Sequence, residues 1–153
     1  MVRTPLRELG KWISIVHRKS QIHMNQAGQE LGLNLTECHY IMHLKENTPT
    51  HRKWLTEHLS LDDAMTTRTL RNLEERGLII QERSEEDQRA LSVRLTPEGA
   101  RLIPQIHRIQ KNWMENLTRD FTAEEIRTLE QTLSVVASRA IETTEKDRES
   151  RSC

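Results

Sequence analysis

The order of signals between Trp54 and Gly99 constrains this chain more than any single residue does. A short apolar-periodic segment, Trp54-Leu55-Thr56-Glu57-His58-Leu59, runs into Ser60-Leu61-Asp62-Asp63. A second helical pattern follows and ends Leu73-Glu74-Glu75-Arg76-Gly77, where glycine supplies the left-handed residue that closes a helix. Two strand-like runs, Leu78 to Arg83 and Ala90 to Leu95, flank the polar tip Ser84-Glu85-Glu86-Asp87-Gln88-Arg89. Thr96-Pro97 then starts another helix as an N-cap and N1 pair. Helix, turn, helix, hairpin, helix is the order needed to lay one helix in a DNA groove with a hairpin beside it.

Asp62 is the expected N-cap of the second helix, with Asp63 in its first turn facing the positive helix end. At about 100° per residue, Thr66, Leu70 and Leu73 share an inward stripe. Thr66 is polar on that stripe, so its hydroxyl is expected to bond a carbonyl one turn back. Ala64, Met65, Arg68, Arg71 and Asn72 fall on the opposite side. No acid interrupts the sequence between Asp63 and Glu74, which leaves a locally basic face on a chain of zero formal net charge. Local distribution matters more than the sum for neutralising phosphate.

The flanks read as helix. Leu6, Leu9, Ile13, Val16, Met24, Ala27 and Leu31 recur at helical steps over residues 6–31, and Gly32 stops the pattern. Thr36 is the expected cap of the next helix, whose apolar face holds Tyr40, Ile41 and Leu44. Thr50 or His51 is expected to open the short helix that ends at Leu59. After Pro97, one helix carries Leu102, Ile106, Ile109, Trp113 and Leu117, bent by Pro104. Thr122-Ala123-Glu124-Glu125 is a capping box that starts a last helix, fraying from Glu142 onward. Apolar residues make up only 35% of the chain, so the long amphipathic helices are expected to find further burial across a subunit interface.

Several classes fall away. There is no glycine-rich phosphate loop and no nucleophile motif, so an enzyme is not expected. No apolar run approaches the roughly 20 residues of a membrane span, and the first residues lack the apolar stretch of a secretory signal. Cys38 and Cys153 make no disulfide framework, which suits a cytoplasmic protein.

At these residues the chain resembles the MarR family of winged-helix regulators. Leu35-Thr36 looks like the start of the family's second helix, and Leu55 to Asp62 like its first helix-turn-helix limb. Thr67-Arg68, Leu73-Glu74 and Gly77-Leu78 resemble the recognition helix and its exit, Asp87-Gln88-Arg89 the Asp-x-Arg of the wing, and Leu95-Thr96-Pro97-Glu98-Gly99 the start of the fifth helix. The fold implied is mainly α with a small β-wing. An N-terminal dimerisation helix (1–34), a winged helix-turn-helix (35–96), C-terminal dimerisation helices (97–145) and a flexible tail (146–153) make up the chain. The resemblance implies a homodimeric, ligand-responsive transcriptional repressor that binds a palindromic operator in double-stranded DNA through recognition helix 62–76 and wing 78–95, with no resident cofactor.

Arg68 is then the residue for direct readout, since an outward guanidinium pairs bidentately with guanine. Thr67 and Thr69 would bond phosphates, Ala64 and Met65 would touch a thymine methyl, and Arg71 would add charge. Arg89 would enter the minor groove, held by a charge-assisted bond to Asp87. Gln81 stands where the family often has a basic residue, and Glu82, Glu85 and Glu86 make the wing acidic, which weakens nonspecific affinity. The resemblance places a small anionic or phenolic effector where the first two helices meet the dimer core, with Trp12, Ile15, His39 and Tyr40 as candidate lining residues. Alternatives are a winged-helix protein adaptor, a metal-responsive regulator using His39, His43 and His107, and a thiol-responsive one using Cys38. Ordinary core or surface roles compete with each of these; no metal site is assigned.

Overall fold

The computed structural model describes residues 6–59, 62–85, 87 and 89–151. The sequence features at Ser60-Leu61, Glu86, Gln88 and Cys153 lie outside the described residues. Helix α1 (Leu6–Gln29) ends in a turn that Gly32 closes at φ +70°, a conformation that side chains disfavour. Helix α2 (Leu35–His43) is capped by Asn34 rather than by Thr36. The Asn34 carboxamide oxygen accepts from the Glu37 backbone N–H, and the Glu37 carboxylate accepts from the Asn34 N–H, both at 2.9 Å. This reciprocal pair satisfies two helix-end donors at once, which a cap at Thr36, already inside the first turn, would leave open.

Strand β1 (Thr50–His51) occupies the two residues from which a helix was expected to start; helix α3 (Arg52–His58) begins after it. Helix α4 (Asp63–Glu75) and the hairpin of β2 (Ile79–Arg83) and β3 (Leu91–Leu95) follow. The sheet is antiparallel with order β1-β3-β2, pairing Thr50 with Val93 on one side and Gln81 with Val93 on the other. Two residues are too short a run to show alternation, so β1 exists through its partner and not through its own pattern.

The single bent helix expected after Thr96 is two helices, α5 (Pro97–Ala100) and α6 (Ile103–Leu117). The break at Arg101-Leu102 puts Pro104 in the first turn of α6, where a missing N–H removes no helix bond. Thr96 caps α5 by accepting from the Gly99 N–H at 3.0 Å.

The chain divides into two compact units, one up to Trp113 and one from Met114 onward. In the first, Leu33, Tyr40, Ile41, Leu55, Leu70, Leu73, Ile79, Val93, Leu95 and Ile106 form one buried core. The first part of α6 thus shares the core of the helix-turn-helix and wing. Along α1 the apolar residues Leu6, Leu9, Trp12, Ile13 and Val16 are exposed in the isolated chain. In the second unit α7 (Ala123–Arg151) starts at the expected box, with Thr122 accepting from Glu125 N–H and the Glu125 carboxylate accepting from Thr122 N–H. It continues as helix past Glu142, where fraying was expected. Ile126, Leu129, Leu133, Val136 and Ile141 on it are all exposed.

Gly99 sits where the start of α5 passes over the β2 entrance, and a Cβ there would stand 2.0 Å from the Leu78 carbonyl oxygen. That oxygen is fixed by the Thr96 N–H at 3.1 Å, so it cannot step aside cheaply. Gly99→Ala is expected to lower stability by about 2–4 kcal/mol, read by urea unfolding at fixed protein concentration; a loss below about 0.5 kcal/mol would contradict this packing.

Candidate nucleic-acid interface

The inner face of α4 is held by hydroxyls as well as by Leu70 and Leu73. Asp62 caps the helix, accepting from the Met65 N–H at 2.7 Å. Thr66 is fully buried and donates to the Asp62 carbonyl at 3.1 Å, as the sequence implies. It also accepts from the Tyr40 hydroxyl at 2.8 Å, and Thr56 Oγ1 lies 3.2 Å away. A buried hydroxyl with these partners avoids the cost of an unmet polar group. This cluster ties α2, α3 and the first turn of α4 together.

The other end of α4 is held by Glu37. Its carboxylate is buried and accepts from Asn72 Nδ2 and from Arg76 Nη1, the latter at 3.3 Å. Arg76 Nη2 also donates to the Gly32 carbonyl at 2.7 Å. Asn72, placed by helical geometry on the outer side, therefore turns its amide inward to this anchor.

With its inner face fixed, α4 presents Ala64, Arg68 and Arg71 to solvent, with Met65 and Thr69 partly covered. Arg68 enters no hydrogen bond or ion pair among the described residues, whereas Arg71 Nε donates to Glu75 at 2.8 Å. Thr67 donates its hydroxyl proton to the Asp63 carbonyl at 2.8 Å and accepts from Arg52 Nη2 at 2.7 Å. Arg52 Nη2 also reaches Asp63 Oδ1 at 2.9 Å, across the turn from α3. A cleft of about 860 Å³ opens here, lined by Arg52, Lys53, Trp54, Asp63, Asp87 and Arg89 among others.

On the wing, Asp87 does not grip the Arg89 side chain as expected. Its carboxylate accepts from the Arg89 backbone N–H at 2.9 Å, the local turn that an aspartate makes two residues ahead. The Arg89 guanidinium is left exposed, without a partner among the described residues. Two of the acids that flank the hairpin are taken up internally. Glu82 accepts from Arg94 Nε at 3.0 Å, and Glu74 accepts from the Gln81 backbone N–H and side-chain amide at 2.8 and 3.0 Å. Gln81 thus ties β2 to the end of α4.

The four candidate effector residues are not gathered at one cavity. Trp12 and Ile15 lie on the exposed face of α1. Tyr40 is completely buried with its hydroxyl on Thr66, so it is a core residue and not a cavity wall. His39 is half-buried, and desolvation, followed by the neighbouring His43 and His17, lowers its pKa from the usual histidine value. His43 Nδ1 lies 2.7 Å from the His39 carbonyl, so that nitrogen faces backbone. Among the described residues no group of three His, Cys, Asp or Glu side chains is placed to hold a metal ion. Cys38 is buried, and its thiol is pushed up to about 11 by desolvation and then by the Glu37 charge, which holds it protonated near neutral pH.

Two functional anchors escaped sequence reading. Glu37 had a signal, because Asn34 three residues earlier completes a capping box. Arg52 had none, since its partners Asp63 and Thr67 lie 11 and 15 residues away across a turn.

A family model described as MarR family matches residues 33–91. The chain is 30% identical over 132 residues to the multiple antibiotic resistance protein MarR of Salmonella typhimurium, covering 84% of this chain and 90% of that one. Other relatives are matched over 66%, 46% and 49% of their own lengths. A crystal structure of MarR superposes with a TM-score of 0.80 at 26% identity, covering 95% of this chain and 98% of that one. A MarR family transcriptional regulator from Listeria monocytogenes complexed with 26mer DNA gives 0.73 at 25% identity, covering 90% and 89%.

Removing the Glu37 carboxylate would take away the capping-box partner of the Asn34 N–H and the shared acceptor of the Asn72 amide and Arg76, leaving those exposed donors to water. Glu37→Ala is expected to lower unfolding free energy by about 1–2 kcal/mol, measured in urea at fixed protein concentration. A variant within about 0.5 kcal/mol of the parent would show that the network does not hold the two helices.

Proposed function

The chain belongs to the MarR family, and from that membership we propose a ligand-responsive, homodimeric transcriptional repressor that binds a palindromic operator. The observation that carries the DNA reading is Arg68, an exposed guanidinium with no partner among the described residues on a helix whose inner face is pinned at both ends. Arg68 reads guanine in the major groove, Ala64 and Met65 meet a thymine methyl, and Thr69 and Arg71 serve the phosphate backbone, whereas the Thr67 hydroxyl proton is already committed to the Asp63 carbonyl. Arg89 enters the minor groove from a turn that Asp87 shapes. The relative complexed with 26mer DNA supports DNA as the partner.

The dimer reading rests on apolar surface. Exposed Leu6, Leu9, Trp12, Ile13 and Val16 on α1, and separately Ile126, Leu129, Leu133 and Val136 on α7, are more than a soluble monomer ordinarily leaves open. Residues 1–34 and 97–145 are assigned to dimerisation, and residues 35–96 to the DNA-binding module. In the bound dimer the two copies of α4 lie about 34–36 Å apart, one turn of duplex. A small anionic or phenolic effector that binds a differently spaced dimer more tightly lowers operator affinity by that difference. Ile15 and His39, not among the exposed apolar residues that carry the dimer reading, retain the accessible surface that such a ligand would need. Such a regulator needs no cofactor or catalytic group and works in the cytoplasm; no helix among the described residues is long and apolar enough to cross a membrane.

Salt-dependent retention on operator DNA separates these roles. Arg68→Ala is expected to weaken binding by about 1–3 kcal/mol and to relax base preference at one position in each half-site. Arg89→Ala is expected to give a smaller loss, concentrated at A·T-rich flanks. Variants that bind duplexes as well as the parent would remove both contacts.

A further inference from the structure

Asp63 is an unwelcome residue for the proposed DNA contact. It occupies the first turn of α4, its side chain is 82% exposed, and the start of a recognition helix is where phosphates and base edges approach. An unscreened carboxylate there would repel the duplex. Arg52 stands against it: one terminal nitrogen, Nη2, donates to Asp63 Oδ1 at 2.9 Å and to Thr67 Oγ1 at 2.7 Å. Thr67 closes the ring by donating to the Asp63 carbonyl at 2.8 Å. The Arg52 side chain is only 21% exposed, so it is far better sheltered than the acid it faces.

The backbone that delivers Arg52 is itself anchored. Arg52 is the first residue of α3 and follows directly on β1, whose His51 pairs with Ser92 of β3. The short strand therefore fixes where the guanidinium can reach.

We propose that Arg52 serves the DNA interface indirectly, as a positioning residue whose guanidinium, held between Asp63 and Thr67, cancels the Asp63 charge at the start of the recognition helix. The inference rests on the DNA reading above. Its signature is that Arg52 matters only while Asp63 is present. A direct phosphate contact would matter regardless.

The test compares the parent, Arg52→Gln, Asp63→Asn and the double variant as full chains on one operator duplex at two salt concentrations, with Arg68→Ala as control. Arg52→Gln should bind about tenfold more weakly, Asp63→Asn no more weakly than the parent, and the double variant should recover to within about threefold. Arg52→Lys keeps the charge without the fork, and should stay within about threefold even if the Gln variant is less stable to heat. A double variant as weak as Arg52→Gln, with a salt slope reduced by about 0.9, would make Arg52 a phosphate contact and overturn the proposal. Asp63→Asn as weak as Arg52→Gln, or Arg52→Lys as weak as Arg52→Gln, would also overturn it. Loss of binding in Arg68→Ala with none in Arg52→Gln would sink this inference alone. A parent that selects no duplex would sink it together with the DNA reading.

Discussion

Glu37 brings a carboxylate into the wall of the core and is met there by the Asn34 N–H, the Asn72 amide and the Arg76 guanidinium. A charge taken out of water is tolerable only when donors replace the lost hydration, so these groups are fixed in place by the need to satisfy it. One oxygen caps the start of α2 and the other grips the last turns of α4, which sets the distance between the two helices. At the opposite end of α4, the Tyr40 hydroxyl on Thr66 does the same with neutral groups. Apolar packing by Leu70 and Leu73 alone would allow the helix to slide or roll. The two polar anchors on α2 prevent that, and the outward direction of Arg68 follows from them.

The same economy of charge runs through the surface. A chain of zero net charge cannot rely on a broad positive field to hold DNA, so individual guanidinium groups must be left available. Acids near the interface are instead taken up locally: Asp63 by Arg52, Glu82 by Arg94, Glu74 by Gln81 and Glu75 by Arg71. Arg68 and the Arg89 side chain remain uncommitted among the described residues. On the proposed DNA reading, such an arrangement favours contacts that depend on sequence over nonspecific attraction.

Much of this was readable wherever the deciding interaction is local. Asp62 before an amphipathic run, Gly77 after it, Thr66 bonding one turn back and the Thr122 box each depend on residues within four positions, and the structure has them as expected. Failures came where a partner lay far along the chain or where two local options competed. Strand β1 exists because β3 passes beside it, which nothing in Thr50-His51 announces. Thr36 and Asn34 are both acceptable caps by type, and the choice fell to Asn34 because Glu37 sits three residues later. The apolar spacing runs straight through Pro104 and by itself implies one bent helix. The helix instead restarts at Ile103, and proline takes a first-turn position at little cost. Arg52 was invisible for the same reason as β1, since its role is defined by residues on the next helix.

The most direct check is fluorescence anisotropy of the full chain against duplexes tiled across the region upstream of its own gene, at two salt concentrations. Saturable binding to one near-palindromic fragment, with two chains per duplex and affinity that survives moderate salt, is the predicted result. Weak binding to every fragment, abolished by salt, would contradict a recognition helix that reads sequence through Arg68.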